Sequence, residues 1–296
     1  MSAPETSRNP DNFCYRHPDR QSFVLCQRCL RTICPECQTQ MPVGVICPEC
    51  LRDQQKASGA PRPRRAPRIL RAVRSGDSRP LVTYAIIALT AFVFVVTLIP
   101  GVGIVVQQSL AMYAPYLYPE FTGTFQPWRL FTVLLVHSGF WHLGLNMLAL
   151  WMLGSSLEPM LGRLRFLWLY LLSGLGGSVA VALLGFGTPV VGASGAIFGL
   201  FGALLVIGRH IGANITGIAV VLGINLVISF LPLITGASGF QVSWQAHIGG
   251  LIVGALVGTI YARTRAIRKK RLQVGLLVGT TVVLVALLGV PMAIYG

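Results

Sequence analysis

Residues 192–203 read GASGAIFGLFGA, and a second stretch, AHIGG, follows at residues 246–250. Each stretch lies in a long apolar segment and carries one reactive side chain, Ser194 in the first and His247 in the second. Small residues beside them allow two helices to approach closely in a membrane. A serine becomes a nucleophile only beside a base, which is most often a histidine. The two stretches therefore indicate acyl-transfer chemistry within a bundle of membrane helices.

The composition of the whole chain indicates a membrane protein. Hydrophobic residues make up 53% of the 296 residues, charged residues only 11%, and the mean hydropathy is +0.66. A soluble domain has roughly a quarter of its residues charged. Between Pro80 and Gly296 the acidic residues are Glu120 and Glu158 alone. This scarcity excludes reactions that need paired carboxylates, such as aspartic proteolysis and glycoside hydrolysis, and it argues against a buried aspartate as the third member of a triad.

Three zones follow one another along the chain. A polar zone at residues 1–55 holds all seven cysteines, a linker rich in proline and arginine covers residues 56–79, and residues 80–296 hold the apolar spans. We predict a zinc-binding domain, a basic linker and a membrane domain in that order. We expect no cleavable signal peptide, because residues 1–20 are polar.

Seven segments of the third zone are predicted to cross the membrane, since a crossing helix needs about 20 apolar residues. The segments are residues 81–99, 141–157, 166–184, 194–207, 215–231, 244–262 and 272–294. The fourth segment is short for a complete crossing. The predicted fold class is an all-α polytopic membrane protein embedded in the lipid bilayer.

Basic residues beside the spans predict the topology. The arginine-rich linker and the loops around Arg163, Arg209 and residues 263–271 fall on one side if the N-terminus is cytoplasmic, and seven spans then place the C-terminus outside. Their retention on the cytoplasmic side explains the net charge of +15 better than nucleic-acid binding does. Ser194 and His247 then both lie near the outer surface. We expect a multi-pass protein of the plasma membrane.

A second polar pair lies in the second span. His142 and Asn146 are four residues apart, so they share one helix face. Both side chains can donate hydrogen bonds, and with the backbone N–H of Ser194 they would form an oxyanion hole, each donor contributing roughly 3 kcal/mol. Alternatively, the pair only joins helices through polar contacts. We interpret His137 as a loop or interfacial residue and Asn225 as a buried contact between helices.

Together these motifs resemble those of the rhomboid family of intramembrane serine proteases. The matching residues are Trp128-Arg129 in the first outer loop, His142-x-x-x-Asn146 in the second span, Glu158 and Gly162 just after it, Gly192-x-Ser194-Gly195 opening the fourth span, and Ala246-His247-x-x-Gly250 in the sixth. By this resemblance, Trp128 and Arg129 would anchor a first-loop element that partly enters the outer leaflet. The seventh span resembles the six-plus-one arrangement found in part of the family.

The resemblance implies a serine endopeptidase that cuts transmembrane protein substrates near the outer membrane surface and needs no cofactor for catalysis. It implies Ser194 as the nucleophile and His247 as the general base, with His142, Asn146 and the Ser194 amide as the oxyanion hole. Phe198 stands where many members have tyrosine. Because an aromatic ring can still pack on His247, we expect only a modest effect on activity.

Two other classes of function remain open. A catalytically silent rhomboid-like protein would bind or chaperone transmembrane clients without cutting them, and the joint presence of Ser194, His247, His142 and Asn146 argues against it. A transporter or channel would need a site for a coupling ion, and the near absence of carboxylates in the membrane zone disfavours that reading.

The polar N-terminal zone contains four pairs of metal-ligand residues, each pair separated by two residues. The pairs are Cys14 with His17, Cys26 with Cys29, Cys34 with Cys37, and Cys47 with Cys50. Eight ligands suffice for two tetrahedral zinc sites. Disulfides are disfavoured, because seven cysteines is an odd number and thiols stay reduced in the cytosol. We therefore predict two structural zinc ions, which would supply much of the folding energy of this zone.

The order of the pairs resembles a B-box-type zinc finger, in which alternate pairs share one ion. That resemblance implies one site of Cys14, His17, Cys34 and Cys37 and another of Cys26, Cys29, Cys47 and Cys50. Sharing between consecutive pairs is the competing arrangement. We expect the zone to regulate the membrane domain or to bind a cytosolic protein. Nucleic acid is a less suitable partner, because the arginines cluster in the linker, where they can contact anionic lipid.

Overall fold

The computed structural model describes residues 10–41, 44–57, 79–235 and 243–296. The chain divides into two units, Met1–Asp77 and Ser78–Gly296. The basic linker predicted at residues 56–79 lies outside the described residues except at positions 56, 57 and 79.

At residues 10–41 and 44–57, the N-terminal unit contains two short antiparallel strand pairs and one helix. Strand β1 (Phe13–Cys14) pairs with β2 (His17–Gln21), β3 (Thr39–Gln40) pairs with β4 (Val45–Ile46), and helix α1 spans Pro48–Ala57, with 3-10 turns at Pro10–Asn12 and Pro35–Cys37. The buried side chains of this unit are mainly cysteines, joined by Ile33 and Ile46. So small an apolar core buries little surface, and domains of this size usually need a further stabilising element.

The C-terminal unit is helical, and apolar helices occur at all seven predicted spans. Its helices are α2 (Leu81–Thr97), α3 (Val102–Leu110), α4 (Pro119–Thr122), α5 (Arg129–Thr132), α6 (Phe140–Leu161), α7 (Arg163–Leu184), α8 (Ser194–His210), α9 (Thr216–Thr235), α10 (Trp244–Arg263), α11 (Lys270–Leu287) and α12 (Val290–Tyr295). Shorter 3-10 turns lie at Ala114–Leu117, Val133–Leu135 and Ile267–Lys269.

Length and composition separate these helices into two groups. Within the described residues, Arg163–Leu184, Trp244–Arg263 and Lys270–Tyr295 are each long and apolar enough to cross a membrane. A fourth crossing results if the bent pair Arg129–Leu135 and Phe140–Leu161 is counted as one span. The apolar helices at Leu81–Thr97, Ser194–His210 and Thr216–Leu231 are shorter. The fourth predicted span, which begins at Ser194, is therefore short in the structure as well.

Helices α8 and α10 pack against each other through small residues. The facing pairs are Gly195 with Gly250, Gly199 with Gly254, and Ala203 with Gly258. A Cβ atom added at Gly258 would lie 2.7 Å from the Cα atom of Ala203. The contacts advance by four residues in both helices, which is about one turn per step, so the two helices run parallel. This register brings the first turns of α8 and α10, with Ser194 and His247, to the same end of the bundle.

The opposite end of the bundle carries basic residues. The Arg165 side chain at the start of α7 donates to Oε1 of Gln273 in α11 at 3.0 Å, and the hydroxyl of Tyr261 near the end of α10 donates to the Arg165 carbonyl at 3.0 Å. Arg263 and Lys269 lie close to these contacts, where Lys269 donates to the Arg263 carbonyl. The basic loops and the Ser194–His247 pair therefore lie at opposite ends of the helices.

Glu158 caps the first span. Its carboxylate accepts the backbone N–H groups of Val82 and Thr83, at 2.9 and 2.8 Å, and the Thr83 hydroxyl at 2.8 Å. The first N–H groups of a helix have no partner within the helix, and a negative charge there is favourable. Glu158 is 2% exposed. It therefore joins the end of α6 to the start of α2, which is a structural role.

Trp128 and Arg129 hold together the region between α2 and α6. The Arg129 guanidinium is buried, donates to the Ala111 carbonyl at 2.6 Å and lies over the ring of Tyr116 at 4.4 Å. The Trp128 indole donates to the Ser109 carbonyl at 3.2 Å. These contacts tie α5 to the end of α3.

Candidate active site

Ser194 and His247 form a hydrogen-bonded pair at the first turns of α8 and α10. The Oγ atom of Ser194 lies 2.7 Å from Nε2 of His247. His247 is 5% exposed, whereas Ser194 is half-buried. The preceding turn requires Gly192, whose φ of +121° lies in a region that favours glycine. A base within 2.6–3.2 Å of a hydroxyl is placed to take its proton.

The ring of Phe198 supports one face of His247. The two rings are stacked, with centroids 4.0 Å apart and planes at 13°. Phe198 lies one turn after Ser194 on α8, so the helix that carries the serine also orients the histidine. The predicted aromatic packing on His247 is present without a tyrosine hydroxyl.

Ser229 on α9 contacts the other nitrogen of the His247 ring. Its Oγ atom lies 2.6 Å from Nδ1 of His247, and the hydroxyl is 2.6 Å from the Asn225 carbonyl, to which it donates. The sequence did not predict this role for Ser229, and the prediction that Asn225 is the buried polar residue of this span is wrong. Asn225 is exposed, and its amide donates to the Val221 carbonyl of its own helix. The spacing of four residues between Asn225 and Ser229 resembles that of His142 and Asn146, and could have drawn attention to Ser229.

His142 and Asn146 approach the Ser194 turn from α6. A Cβ atom added at Gly192 would lie 2.7 Å from Nε2 of His142, so this ring edge lies against the backbone two residues before Ser194. Nδ1 of His142 faces Ser138, whose backbone N–H donates to it at 3.4 Å. Asn146 is 7% exposed and donates one N–H to the His142 carbonyl at 2.7 Å. An amide NH₂ has two N–H groups, so Asn146 keeps a second donor.

His137 lies beneath this arrangement. It occupies the loop before α6, as predicted, but the interfacial alternative is wrong because the side chain is fully buried. Its Nε2 accepts the backbone N–H of Ala193 at 3.4 Å, and its ring meets the ring of His142 edge-on at 5.0 Å. This contact was not predicted, since nothing in the local sequence distinguishes a buried loop histidine from an exposed one.

The N-terminal unit gathers the eight predicted metal ligands into two clusters. One cluster contains Cys14, His17, Cys34 and Cys37, and the other contains Cys26, Cys29, Cys47 and Cys50. This is the alternate-pair arrangement. All seven cysteines lie within the described residues and are free thiols.

The spacing and chemistry of the donor atoms fit a tetrahedral metal. Sulfur ligands about 2.3 Å from a tetrahedral zinc are about 3.8 Å apart. The sulfurs of Cys29 and Cys47 are 3.8 Å apart, and Nδ1 of His17 lies 3.3 and 3.4 Å from the sulfurs of Cys34 and Cys37. Both clusters could therefore hold one ion each with little rearrangement.

The thiols within each cluster differ in pKa, and burial together with the neighbouring thiols raises the pKa of Cys37 and of Cys50. Burial raises the pKa of Cys14, but hydrogen bonds from the backbone of Cys34, Arg16 and His17 outweigh it and lower the pKa to about 6. The same balance of burial and backbone hydrogen bonds lowers the pKa of Cys26 to about 6. A thiolate, not a thiol, is the form that binds a metal.

Comparisons with known proteins agree with the motifs of the membrane unit. A family model described as the Rhomboid domain matches residues 124–264. The chain is 36% identical over 186 residues to "Rhomboid protease GluP" of Bacillus subtilis (strain 168), covering 60% of this chain and 34% of that protein. It is 37% identical over 142 residues to "RHOMBOID-like protein 1" of Arabidopsis thaliana, covering 45% of this chain and 34% of that protein. It is 36% identical over 147 residues to "Rhomboid protein 1, mitochondrial" of Saccharomyces cerevisiae (strain ATCC 204508 / S288c), covering 46% of this chain and 41% of that protein. The chain thus spans less than half the length of these relatives.

Proposed function

Because this chain belongs to the rhomboid family, we propose that it is an intramembrane serine endopeptidase that hydrolyses peptide bonds of transmembrane proteins. The observation that carries the proposal is the 2.7 Å hydrogen bond between Ser194 and His247 in the first turns of two parallel apolar helices. The similarity to a relative named as a protease supports it.

In the proposed reaction, Ser194 Oγ attacks the carbonyl carbon of the scissile peptide while Nε2 of His247 takes the hydroxyl proton. The tetrahedral intermediate collapses, the C–N bond breaks, and His247 returns the proton to the leaving amine. Water then attacks the ester on Ser194 with His247 again as the base, which releases the new carboxyl end and regenerates the serine.

The oxyanion of the intermediate would be bound by His142, Asn146 and the backbone N–H of Ser194. Nδ1 of His142 accepts the N–H of Ser138, so the proton of a neutral ring resides on Nε2, the atom that lies against Gly192. His142 is thereby prepared as a donor toward the Ser194 turn. The buried amide of Asn146 supplies a second donor from the same helix face.

We propose that the protein lies in the plasma membrane. In the proposed topology the N-terminus is in the cytoplasm and the C-terminus is outside the cell. The contacts of Arg165, Arg263 and Lys269 at one end of the bundle support it, because basic residues remain on the cytoplasmic side. Ser194 and His247, at the other end, would cut near the outer surface.

For the N-terminal zone, residues 1–55, we propose two structural zinc ions and a cytosolic protein partner. The two clusters of four donors support the metal sites. Among the described residues of this unit few others are apolar and buried, so the ions would supply much of its folding energy.

The protease proposal is tested by covalent labelling. Full-length protein in detergent should react with a fluorophosphonate probe at Ser194, located by mass spectrometry, because His247 makes its hydroxyl nucleophilic. The His247→Ala variant should label at least about 100-fold more slowly. A folded wild-type protein that remains unlabelled and cuts no transmembrane reporter would support a silent client-binding protein instead.

Elemental analysis of the full-length protein is expected to find two zinc ions per chain. The Cys14→Ser and Cys34→Ser variants should each lose one ion, and the Cys14/Cys34 double variant should lose no more, because both residues belong to one cluster. The Cys14/Cys26 double variant serves as the matched comparison and should lose both ions. The reverse pattern would establish sharing between consecutive pairs, and disulfides found by mass spectrometry would overturn the zinc assignment.

A further inference from the structure

The Nδ1 side of His247 is occupied by a serine that the proposed reaction does not use. Ser229 is 2% exposed, its Oγ lies 2.6 Å from Nδ1, and its hydroxyl donates to the Asn225 carbonyl one turn earlier on α9. A hydroxyl has a single hydrogen, and a carbonyl oxygen can only accept. When Ser229 donates to Asn225, its oxygen can only receive the hydrogen of the His247 ring.

This arrangement determines which tautomer His247 adopts. A neutral imidazole has one N–H, so a ring that donates from Nδ1 has its lone pair on Nε2, which is the atom 2.7 Å from Ser194. We infer that Ser229 is a positioning residue that holds His247 in the Nδ1–H tautomer. The inference rests on the proposed protease function, in which Nε2 must accept the serine proton.

Within residues 79–235 and 243–296 of the membrane unit, Ser229 is the side chain that contacts Nδ1 of the ring. Helix α8 presents Ser194 and Phe198 to the ring, α9 presents Ser229, and His142 on α6 is the titratable side chain that interacts with it electrostatically. The sequence contains no aspartate or glutamate after Glu158. A neutral hydroxyl, backed by a carbonyl, therefore occupies the position that a carboxylate takes in a serine protease triad. Its bond to the ring becomes stronger when the imidazolium forms.

The tautomer can be read without any activity measurement. The chain has five histidines, so ¹⁵N-histidine NMR of the full-length protein in detergent can be assigned with a His247→Gln variant. We expect the Nδ1–H tautomer of His247 in the wild type and a mixture or the Nε2–H tautomer in Ser229→Ala. An Nε2–H wild type, or an unchanged tautomer in Ser229→Ala, would overturn the inference. A wild type with the expected tautomer that neither labels nor cuts would contradict the protease proposal and leave the tautomer assignment intact.

Kinetics then test whether the tautomer matters. Ser229→Ala should lower kcat by about ten-fold with KM changed by less than about two-fold, because the lost bond acts in the transition state. The acidic limb of its pH–kcat profile should move to lower pH, because the imidazolium loses an acceptor. Ser229→Thr, which keeps the hydroxyl, should restore kcat and the position of the acidic limb to those of the wild type. A loss that threonine does not restore would identify a packing defect and reject the positioning role.

Two further variants control for folding. Thr281→Val removes a hydroxyl that likewise donates to a carbonyl one turn earlier, at 3.0 Å, but in α11, and it should leave kcat and the pH profile unchanged. If Ser229→Ala does not fold, Ser229→Cys provides the same test, because a thiol is similar in shape and a weaker acceptor. Wild-type kinetics in a folded Ser229→Cys would contradict the inference.

Discussion

The Ser194→Ala variant is expected to lose cleavage of a transmembrane reporter, with kcat lowered by about 10⁵-fold or more. Alanine removes the only atom that forms the acyl-enzyme, while the helix start and the Phe198–His247 stack remain. Cleavage is measured in proteoliposomes, and folding by thermal unfolding in detergent. The matched control is Ser156→Ala, which removes an exposed serine hydroxyl on α6 and should cut at the wild-type rate.

The same measurement tests whether Ser194 and His247 act together in catalysis or only lie close to each other. If Ser194 and His247 act as one unit, the double variant with His247→Ala should be no slower than Ser194→Ala alone. Cleavage by Ser194→Ala at near the wild-type rate would show that another residue is the nucleophile, and the proposed mechanism would be wrong.

The Gly254→Ala variant is expected to destabilise the membrane unit by about 1–3 kcal/mol and to lower kcat by more than about 100-fold. The added Cβ would overlap the backbone of Gly199, and backbone cannot rotate aside as a side chain can. The parallel helices α8 and α10 must therefore separate. Such a shift would lengthen the 2.7 Å contact between Ser194 and His247, on which proton transfer depends.

Gly279→Ala is the matched control for this prediction. Gly279 lies in α11, and a Cβ added there meets no described atom within 4 Å. Alanine favours a helix over glycine by about 1 kcal/mol, so this variant should be as stable as the wild type or slightly more so. Thermal unfolding and reporter cleavage check both variants. If Gly254→Ala and Gly279→Ala have the same stability and the same cleavage rate, close approach of α8 and α10 is not what positions Ser194 and His247.

The sequence by itself indicated the membrane class, the seven apolar segments and four residues of the candidate site, Ser194, His247, His142 and Asn146, but not Ser229. These are local properties, because a run of apolar residues predicts burial in lipid wherever the chain leads next. The four ligand pairs are local in the same sense, since a spacing of two residues already brings two donors together. The motif around Ser194 was equally evident, because a reactive side chain between glycines is unusual in an apolar segment.

Only the tertiary structure decided which of these residues meet. The position of Ser229 beside His247, the burial of His137 under Ala193 and the grouping of alternate ligand pairs into two clusters all join positions far apart in the chain. Such contacts depend on how each helix is rotated and how closely it approaches its neighbour. Asn225 and Ser229 lie one turn apart on the same side of α9, and the sequence does not show that Ser229 is the one level with the histidine while Asn225 is exposed.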